Sequence, residues 1–232
     1  LLNKTGYTDL DVILSKSNTP LSVQLFEELA QKKETLVLDV RTQQEFVKSH
    51  IPGALFIGLN GSFAPWVGAL ISDINQPILL VAPEGCSEEA ITRLARVGYD
   101  NSLGYLEGGM SAWIQAGKTT EQITSITAKE FEQRFNTKSI AVLDVRKDGE
   151  YNSAHLEGNH IEHLSLDSIH QKIQGIESQK TYHVYCGGGY RSVIATSILK
   201  ANGFSNVIDV AGGFAALKKT QLPMVNGVCN AE

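Results

Sequence analysis

Short apolar runs alternate with segments of helical periodicity along the whole chain. Apolar runs of four or five residues between polar or glycine-rich segments are typical of buried strands. In the second half, such runs cover residues 140–143, 181–185 and 206–210. Helices are predicted there from the capping box of Thr127 and Glu130 to about residue 135, over residues 192–201, and after Gly213.

The first half of the chain repeats this order. Its strand-like runs cover residues 35–38, 77–81 and 102–106, and a helix is predicted over residues 88–97. Strands that alternate with helices form a parallel sheet whose two faces are covered by the helices. The pattern therefore predicts an α/β fold in both halves.

An internal repeat divides the chain in two. Leu38-Asp39-Val40-Arg41 recurs 105 residues later as Leu143-Asp144-Val145-Arg146. The same spacing pairs Phe26 with Phe131, Glu45 with Glu150, His50 with His155 and Gly53 with Gly158. Near the end the spacing becomes 104, at which the Gly-Gly pair 108–109 recurs at 212–213. We predict two homologous domains, residues 20–117 and 126–232, with a linker over 118–125 and a leader over 1–19.

The second copy has a glycine-rich loop between a strand and a helix: Cys186-Gly187-Gly188-Gly189-Tyr190-Arg191. In an open α/β sheet, binding sites form beyond the carboxyl ends of the strands. Three successive glycines let the backbone curl, so that its N–H groups and the helix start form a nest for an anion. We expect this nest to favour the thiolate of Cys186, and Arg191 to bind an oxyanion. The loop thus predicts a cysteine nucleophile for an anionic donor.

Composition argues against several other classes of function. The 232 residues carry a formal net charge of −5 and no cluster of Lys and Arg, so nucleic acid is not an expected partner. No apolar run approaches the roughly 18 residues of a membrane helix. Three widely spaced cysteines, Cys86, Cys186 and Cys229, argue against a disulfide framework and favour a cytoplasmic location. We predict no cofactor and no metal ion.

Four motifs together resemble the rhodanese family: the Leu-Asp-Val-Arg strand, the His-Leu-x-Gly turn at His155, the Cys186 loop and the late Gly-Gly pair. The resemblance covers nearly the whole chain and implies two tandem rhodanese-like domains, each a parallel sheet flanked by helices on both faces. In that family the loop cysteine takes sulfane sulfur from a donor such as thiosulfate and passes it to an acceptor such as cyanide or a thiol.

The resemblance also implies the roles of the loop residues. Cys186 would carry the persulfide, and Arg191 would bind the anionic end of a small sulfur donor. The backbone N–H groups of the loop, from Gly187 through Gly188, Gly189 and Tyr190 to Arg191, would hold the outer sulfur, and the side chain of Tyr190 would line the entrance.

Loop length separates two activities that this fold supports. Cysteine phosphatases related to the fold place five residues between Cys and Arg, whereas four intervene here, as in sulfurtransferases. Rhodanese domains also serve as noncatalytic binding or regulatory modules. That alternative stays open for the second domain.

The first copy has lost the nucleophile. At a spacing of 105 residues, Val81 falls on Cys186 and Cys86 falls on Arg191. The loop keeps one glycine, Pro83 removes an N–H donor, and Glu84 would repel an anionic donor. We predict that the first domain is noncatalytic.

Some polar residues occur in both copies and therefore do not depend on the nucleophile: Asp39 with Asp144, Arg41 with Arg146, and His50 with His155. For the aspartates and arginines we predict a structural role, either an ion pair or a helix start. For the histidines we predict a packing or turn role.

Two segments resemble rhodanese domains that follow a metallo-β-lactamase-fold domain: residues 61–70 with Trp66-Val67-Gly68, and residues 2–20 with Asn3-Lys4-x-Gly6-Tyr7. In such fusions the first domain is often a persulfide dioxygenase with non-haem iron. The chain begins with Leu1 rather than Met and has no His-x-His-x-Asp-His motif. The resemblance implies that it is the C-terminal part of such an enzyme and binds no metal itself.

Overall fold

The computed structural model describes residues 10–137 and 140–227. The chain divides into two compact units between Glu121 and Gln122. Some residues that the sequence singled out lie outside the described ranges: Asn3, Lys4, Gly6, Tyr7 and Cys229.

The first unit alternates helices with short strands. Its strands are β1 (Pro20–Leu21), β2 (Leu36–Asp39), β3 (Leu55–Phe56), β4 (Ile78–Val81) and β5 (Ser102–Leu106). Its helices are α1 (Leu10–Ser17), α2 (Val23–Ala30), α3 (Gln43–Lys48), α4 (Phe63–Leu70), α5 (Ser87–Ala95) and α6 (Gly109–Gln115). The strands pair in parallel in the order β1-β5-β4-β2-β3.

The second unit repeats this plan and adds a strand pair. Its strands are β6 (Thr124–Ile126), β7 (Ala141–Asp144), β8 (Ala154–Leu156), β9 (Ile161–His163), β10 (Tyr182–Tyr185), β11 (Val207–Val210) and β12 (Met224–Asn226). Its helices are α7 (Ala128–Thr137), α8 (Asp148–Ser153), α9 (Ile169–Lys172), α10 (Arg191–Ala201) and α11 (Gly213–Leu217). The order β6-β11-β10-β7-β9 is again parallel, and β12 pairs antiparallel with β8.

These two sheets confirm the predicted α/β class, with parallel strands flanked by helices. β5 spans the predicted residues 102–106, and the other predicted strands agree with the structure to within one residue at either end. All four residues of β4 and of β10 are buried, which is why their sequences are continuous apolar or aromatic runs rather than alternating patterns.

Two elements lie in segments that the sequence pattern assigned to connections. Helix α1 occupies part of the predicted leader and buries Ile13 and Ser17. Strand β6 begins at Thr124, inside the predicted linker, and buries only Ile126. One or two buried side chains are too few to show a period in the sequence, so neither element could be predicted from it.

Buried ion pairs confirm the structural role that was predicted for the repeated Asp-x-Arg motif. Arg41 Nη2 donates to Asp39 Oδ2 at 2.6 Å and to the carbonyl of Ser49 at 2.8 Å. In the second unit, Arg146 Nη2 donates to Asp144 Oδ2 at 2.5 Å and to the carbonyl of Ala154 at 2.8 Å. Each pair therefore joins the end of a central strand to the end of the following helix.

The repeated histidines confirm the predicted packing role. His50 Nδ1 lies 2.8 Å from the carbonyl oxygen of Phe46, and the two rings stack. His155 Nδ1 lies 2.9 Å from the carbonyl oxygen of Tyr151, and those rings stack as well. Because the unit without the nucleophile has the same contact, this contact stabilises the fold and has no part in the reaction.

Helix α4 accounts for the motif at residues 61–70. Phe63, Trp66 and Val67 are buried in the first unit, so these apolar side chains fill its core. Within the described ranges, no helix is long and apolar enough to cross a bilayer.

Candidate active site

Cys186 directly follows the central strand β10, at the carboxyl edge of the second sheet. Five residues later, after four intervening loop residues, the chain enters helix α10 at Arg191. The predicted strand–loop–helix placement of this cysteine is thus confirmed. The whole residue is only 1% exposed, while Gly188 in the same loop is exposed to solvent. The thiol is thus covered, whereas the loop is open to solvent at Gly188.

Gly189 shapes the loop around the sulfur. Its φ of 97° is a conformation that residues with a side chain rarely adopt, and its N–H donates to Cys186 Sγ at 3.1 Å. Gly187 and Gly188 do not have positive φ, so Gly189 is the one residue of the three that adopts the conformation available to glycine. At Gly187 the constraint is space, because a Cβ there would lie 2.8 Å from Arg191 Nη2.

Arg191 forms a forked ion pair with Glu150, which the sequence had not identified as a site residue. Its Nη1 donates to Glu150 Oε2 at 2.5 Å and its Nη2 donates to Oε1 at 2.8 Å. The pair lowers the pKa of Glu150 and raises that of Arg191. In the sequence, Glu150 stands out only as the repeat partner of Glu45 in the first copy.

Tyr190 precedes helix α10 and is half-buried. Burial raises the pKa of its phenol well above the usual range, so the hydroxyl keeps its proton at neutral pH.

A buried acid that was not predicted from the sequence lies behind the cysteine. Ser192 Oγ lies 3.7 Å from Cys186 Sγ and donates to Asp209 Oδ1 at 2.7 Å. Asp209 is 3% exposed and lies in the neighbouring strand β11. The only sign in the sequence is an aspartate inside the largely apolar strand predicted over residues 206–210.

The Gly-Gly pair at residues 212–213 lies where the start of helix α11 contacts the Cys186 loop. The N–H groups of Phe214 and Ala215 donate to the carbonyls of Cys186 and Gly187 at 2.6 and 3.0 Å. Gly213 has a φ of 53°, and a Cβ there would lie 2.2 Å from the carbonyl oxygen of Cys186. Only glycine leaves room for this approach.

Substituting Gly213 by alanine is expected to displace the loop. Positive φ alone costs about 1 kcal/mol for alanine, and the clash with the Cys186 carbonyl should raise the loss of unfolding free energy above about 3 kcal/mol. Gly109→Ala is the matched control, because Gly109 has a φ of 57° but its Cβ would lie 3.7 Å from the nearest carbonyl oxygen, that of Ala82. Urea unfolding measures both variants. Equal losses would show that the close approach has no energetic consequence.

The structure corrects the alignment of the two loops. Asp39 pairs with Val81, and Asp144 pairs with Tyr185, so Val81 matches Tyr185 and not the nucleophile. The residue at the nucleophile position of the first unit is therefore Ala82. A constant spacing of 105 was wrong here because the segment between these paired strands is one residue shorter in the second copy.

The corrected alignment continues through the loop. Gly85, with a φ of 75°, matches Gly189, and Cys86 matches Tyr190 as the residue before the helix. Ser87 then takes the place of Arg191. A cavity of about 370 Å³ lies against this loop, lined in part by Pro83 and Glu84. The first unit thus keeps the shape of the loop without the thiol or the arginine at the matching positions.

Comparison with known proteins agrees with this architecture. The family model of the rhodanese-like domain matches the chain twice, over residues 22–116 and 127–220. The chain belongs to the rhodanese-like family. Each rhodanese-like domain coincides with one of the two structural units.

The rhodanese-like domains are similar to several characterised or solved proteins. The thiosulfate sulfurtransferase GlpE of Shewanella oneidensis is 31% identical over 97 residues, which are 41% of this chain and 92% of that protein. The putative sulfur carrier protein YrkF of Bacillus subtilis is 28% identical over 99 residues, 42% of this chain and 52% of that protein. A rhodanese-like domain protein from Staphylococcus aureus has a crystal structure that is 27% identical, with a TM-score of 0.39, and covers 43% of this chain and 96% of that one.

The chain spans only part of some of these relatives. It covers 52% of YrkF and 26% of the probable adenylyltransferase/sulfurtransferase MoeZ of Mycobacterium tuberculosis.

Proposed function

We propose that the second rhodanese-like domain is a sulfurtransferase that carries sulfane sulfur as a persulfide on Cys186. The observation that supports this most directly is the loop itself, in which the Gly189 N–H donates to Cys186 Sγ at 3.1 Å at the carboxyl edge of the sheet. A hydrogen bond from a backbone N–H stabilises a thiolate, and the thiolate is the form of cysteine that attacks sulfur.

The proposed reaction has two steps. The Cys186 thiolate attacks the outer sulfur of thiosulfate, the S–S bond of the donor breaks, and sulfite leaves with the bonding electron pair. An acceptor thiolate then takes the outer sulfur of the persulfide, and the thiolate of Cys186 is released. The N–H groups of residues 187–191 hold the outer sulfur while it is bound.

Arg191 binds the anionic end of the donor in this proposal. The ion pair with Glu150 uses two of the five N–H donors of the guanidinium, which leaves the others for a sulfonate or carboxylate oxygen. The position of Arg191 at the first residue of helix α10 places this charge beside the loop. Donors of this class include thiosulfate and glutathione persulfide.

The intact mass of the protein tests this function. After incubation with thiosulfate and removal of excess donor, we expect an added mass of about 32 Da, one sulfur atom, that peptide mapping assigns to residue 186. A second incubation with glutathione thiol should remove the added mass. Absence of an adduct from thiosulfate and also from glutathione persulfide would refute the sulfurtransferase.

A noncatalytic binding module is the second candidate. The observation that favours it is the low exposure of Cys186, which is 1%. A buried thiol that only packs would react with neither donor and would be alkylated no faster than the thiol of an unfolded chain. The mass experiment therefore separates the two candidates.

The fusion to a metallo-β-lactamase-fold domain stays a prediction of the resemblance. Its leader motif lies outside the described residues, and the apolar side chains of its second motif fill the core of the first unit.

A further inference from the structure

A chain of hydrogen bonds leads from Cys186 into the core of the second unit. The S–H of Cys186 donates to Ser192 Oγ at 3.7 Å, and the Ser192 hydroxyl donates to Asp209 Oδ1 at 2.7 Å. From the other side, Ser125 Oγ donates to Asp209 Oδ2 at 2.8 Å. Every donor points towards the carboxylate, which makes Asp209 the end point of the chain.

The first unit lacks every member of this chain. The paired strands and the corrected alignment give its counterparts: Ala82 for Cys186, Glu88 for Ser192, Tyr105 for Asp209 and Pro20 for Ser125. By contrast, the buried Asp-Arg pair and the stacked histidine occur in both units. The buried acid is thus present in the unit that has the nucleophile and is absent from the described residues of the unit that shares the fold without it.

Burying a carboxylate in a sheet is unfavourable unless the fold gains something from it. Burial raises the pKa of Asp209, while the hydrogen bonds from Ser192 and Ser125 partly offset the increase. Such a carboxyl group is able to hold a proton at a pH where an exposed aspartate is ionised.

We propose that Asp209 accepts the proton of Cys186 through Ser192 when the thiolate forms. The proton of Cys186 moves to Ser192 Oγ, and the proton of the Ser192 hydroxyl moves to Asp209 Oδ1. Ser192 is unchanged at the end, and one negative charge has moved from the buried carboxylate to Sγ. There, the Gly189 N–H stabilises it.

The relay is reversed when sulfur leaves. During loading, thiosulfate converts the thiolate to a persulfide and releases sulfite, while Asp209 keeps the proton. During unloading, the acceptor thiolate takes the outer sulfur and the thiolate of Cys186 is restored. The proton then returns from Asp209 through Ser192. Asp209 and Ser192 act through Cys186, so they are positioning and proton-carrying residues. The inference rests on the proposed function for the identity of the sulfur donor.

Arg191 of helix α10 interacts electrostatically with Cys186, with its ion-pair partner Glu150 of helix α8 and with Asp144 of β7. Asp209 is contacted by Ser125 of β6 and Ser192 of α10, and it pairs with Val184 of β10. A test that keeps Arg191 and Glu150 therefore isolates the contribution of Asp209 to the pH dependence.

The rate of alkylation of Cys186 by iodoacetamide, measured against pH in a Cys86→Ser, Cys229→Ser background, tests the relay. If Cys186 and Asp209 share one proton, the fraction of thiolate stays constant between the pH at which the first group titrates and the pH at which the second does. The alkylation rate of the background protein should therefore reach a plateau on the acid side of the pH profile. In Asp209→Asn the amide still accepts the hydrogen bond of Ser192 but takes no proton. Its rate should fall about tenfold for each unit of decreasing pH.

Variants of the serine complete the design. Ser192→Ala should lose the plateau in the same way, and Ser192→Thr should restore it because threonine keeps the hydroxyl. Ser197→Ala is the matched control, since Ser197 is a buried serine of the same helix whose hydroxyl donates to the carbonyl of Ile194. If Asp209→Asn kept the plateau, or slowed alkylation equally at every pH, Asp209 would have a purely structural role and the inference would be overturned.

Infrared difference spectroscopy gives a second readout. Loading with thiosulfate should produce the C=O band of a protonated carboxylic acid, and Asp209→Asn should lack this band even though its mass shows that sulfur is loaded. A loaded starting protein without the band would overturn the relay and leave the sulfurtransferase intact. Failure of loading itself would count against the proposed function, whereas the alkylation experiment needs no sulfur donor.

Discussion

Cys186→Ala is expected to abolish sulfur transfer, with the production of thiocyanate from thiosulfate and cyanide falling about 10⁴-fold or more, to the uncatalysed rate. The reason is chemical: no other thiol of the described residues lies at the nucleophile position of a loop. The first unit has Ala82 at the matching position, so it offers no second route. A steady-state assay of thiocyanate measures the effect.

Cys86→Ala is the matched control for that variant. Cys86 precedes helix α5 in the first unit, and its N–H donates to the carbonyl of Pro83 at 3.0 Å, a contact that alanine keeps. We expect unchanged turnover. Full activity in Cys186→Ala, or an equal loss in Cys86→Ala, would place the sulfur carrier elsewhere. Near-UV circular dichroism should confirm that both variants are folded.

Arg191→Ala is expected to lower kcat/KM for thiosulfate by between ten- and about a hundredfold, because a hydrogen bond to a charged group is worth about 1.5–3 kcal/mol. Stability should change much less. The side chain of Glu150 is 40% exposed, so water solvates it once its partner is removed, and such pairs contribute about 1 kcal/mol or less. Turnover at several donor concentrations separates kcat from KM.

The double variant Arg191→Ala, Glu150→Ala decides what the arginine does. If Arg191 only neutralises Glu150, removal of both charges should restore activity. If Arg191 binds the donor, the double variant should remain as slow as Arg191→Ala. Glu45→Ala in the first unit controls for loss of a helix cap. Glu45 accepts a hydrogen bond from the Thr42 N–H at the start of α3, as Glu150 does from the Lys147 N–H at the start of α8. The position of Arg191 is taken by Ser87 in the first unit, so no arginine is involved there.

The fold was predictable because its signals are local and are repeated. The buried runs that became β4, β5, β7, β10 and β11 are short, apolar and separated by helices, and the second copy confirms each assignment made in the first. The Asp-x-Arg strand was recognised as structural for the same reason, since it occurs in the unit without a nucleophile.

The polar surroundings of the cysteine were less predictable because they depend on register. Asp209 lies 23 residues after Cys186 and reaches it only because β11 lies beside β10 and Ser192 lies one residue inside the helix. A shift of one residue in either element would turn those side chains elsewhere. The constant spacing of 105 failed for a related reason. The segment that joins the two paired strands is one residue shorter in the second copy, and such a difference leaves no trace in composition or periodicity.

The hydrogen bonds between helix α11 and the loop link reactivity to local unfolding. The carbonyls of Cys186 and Gly187 are held by the N–H groups of Phe214 and Ala215, about 28 residues downstream. If α11 alone detaches, two peptide planes of the loop are free to rotate while the sheet stays folded. Cys186 Sγ would then lose the hydrogen bond from the Gly189 N–H while the rest of the domain remains folded. Hydrogen exchange at these two amides therefore reports the opening that would inactivate the protein, at a free energy below that of global unfolding.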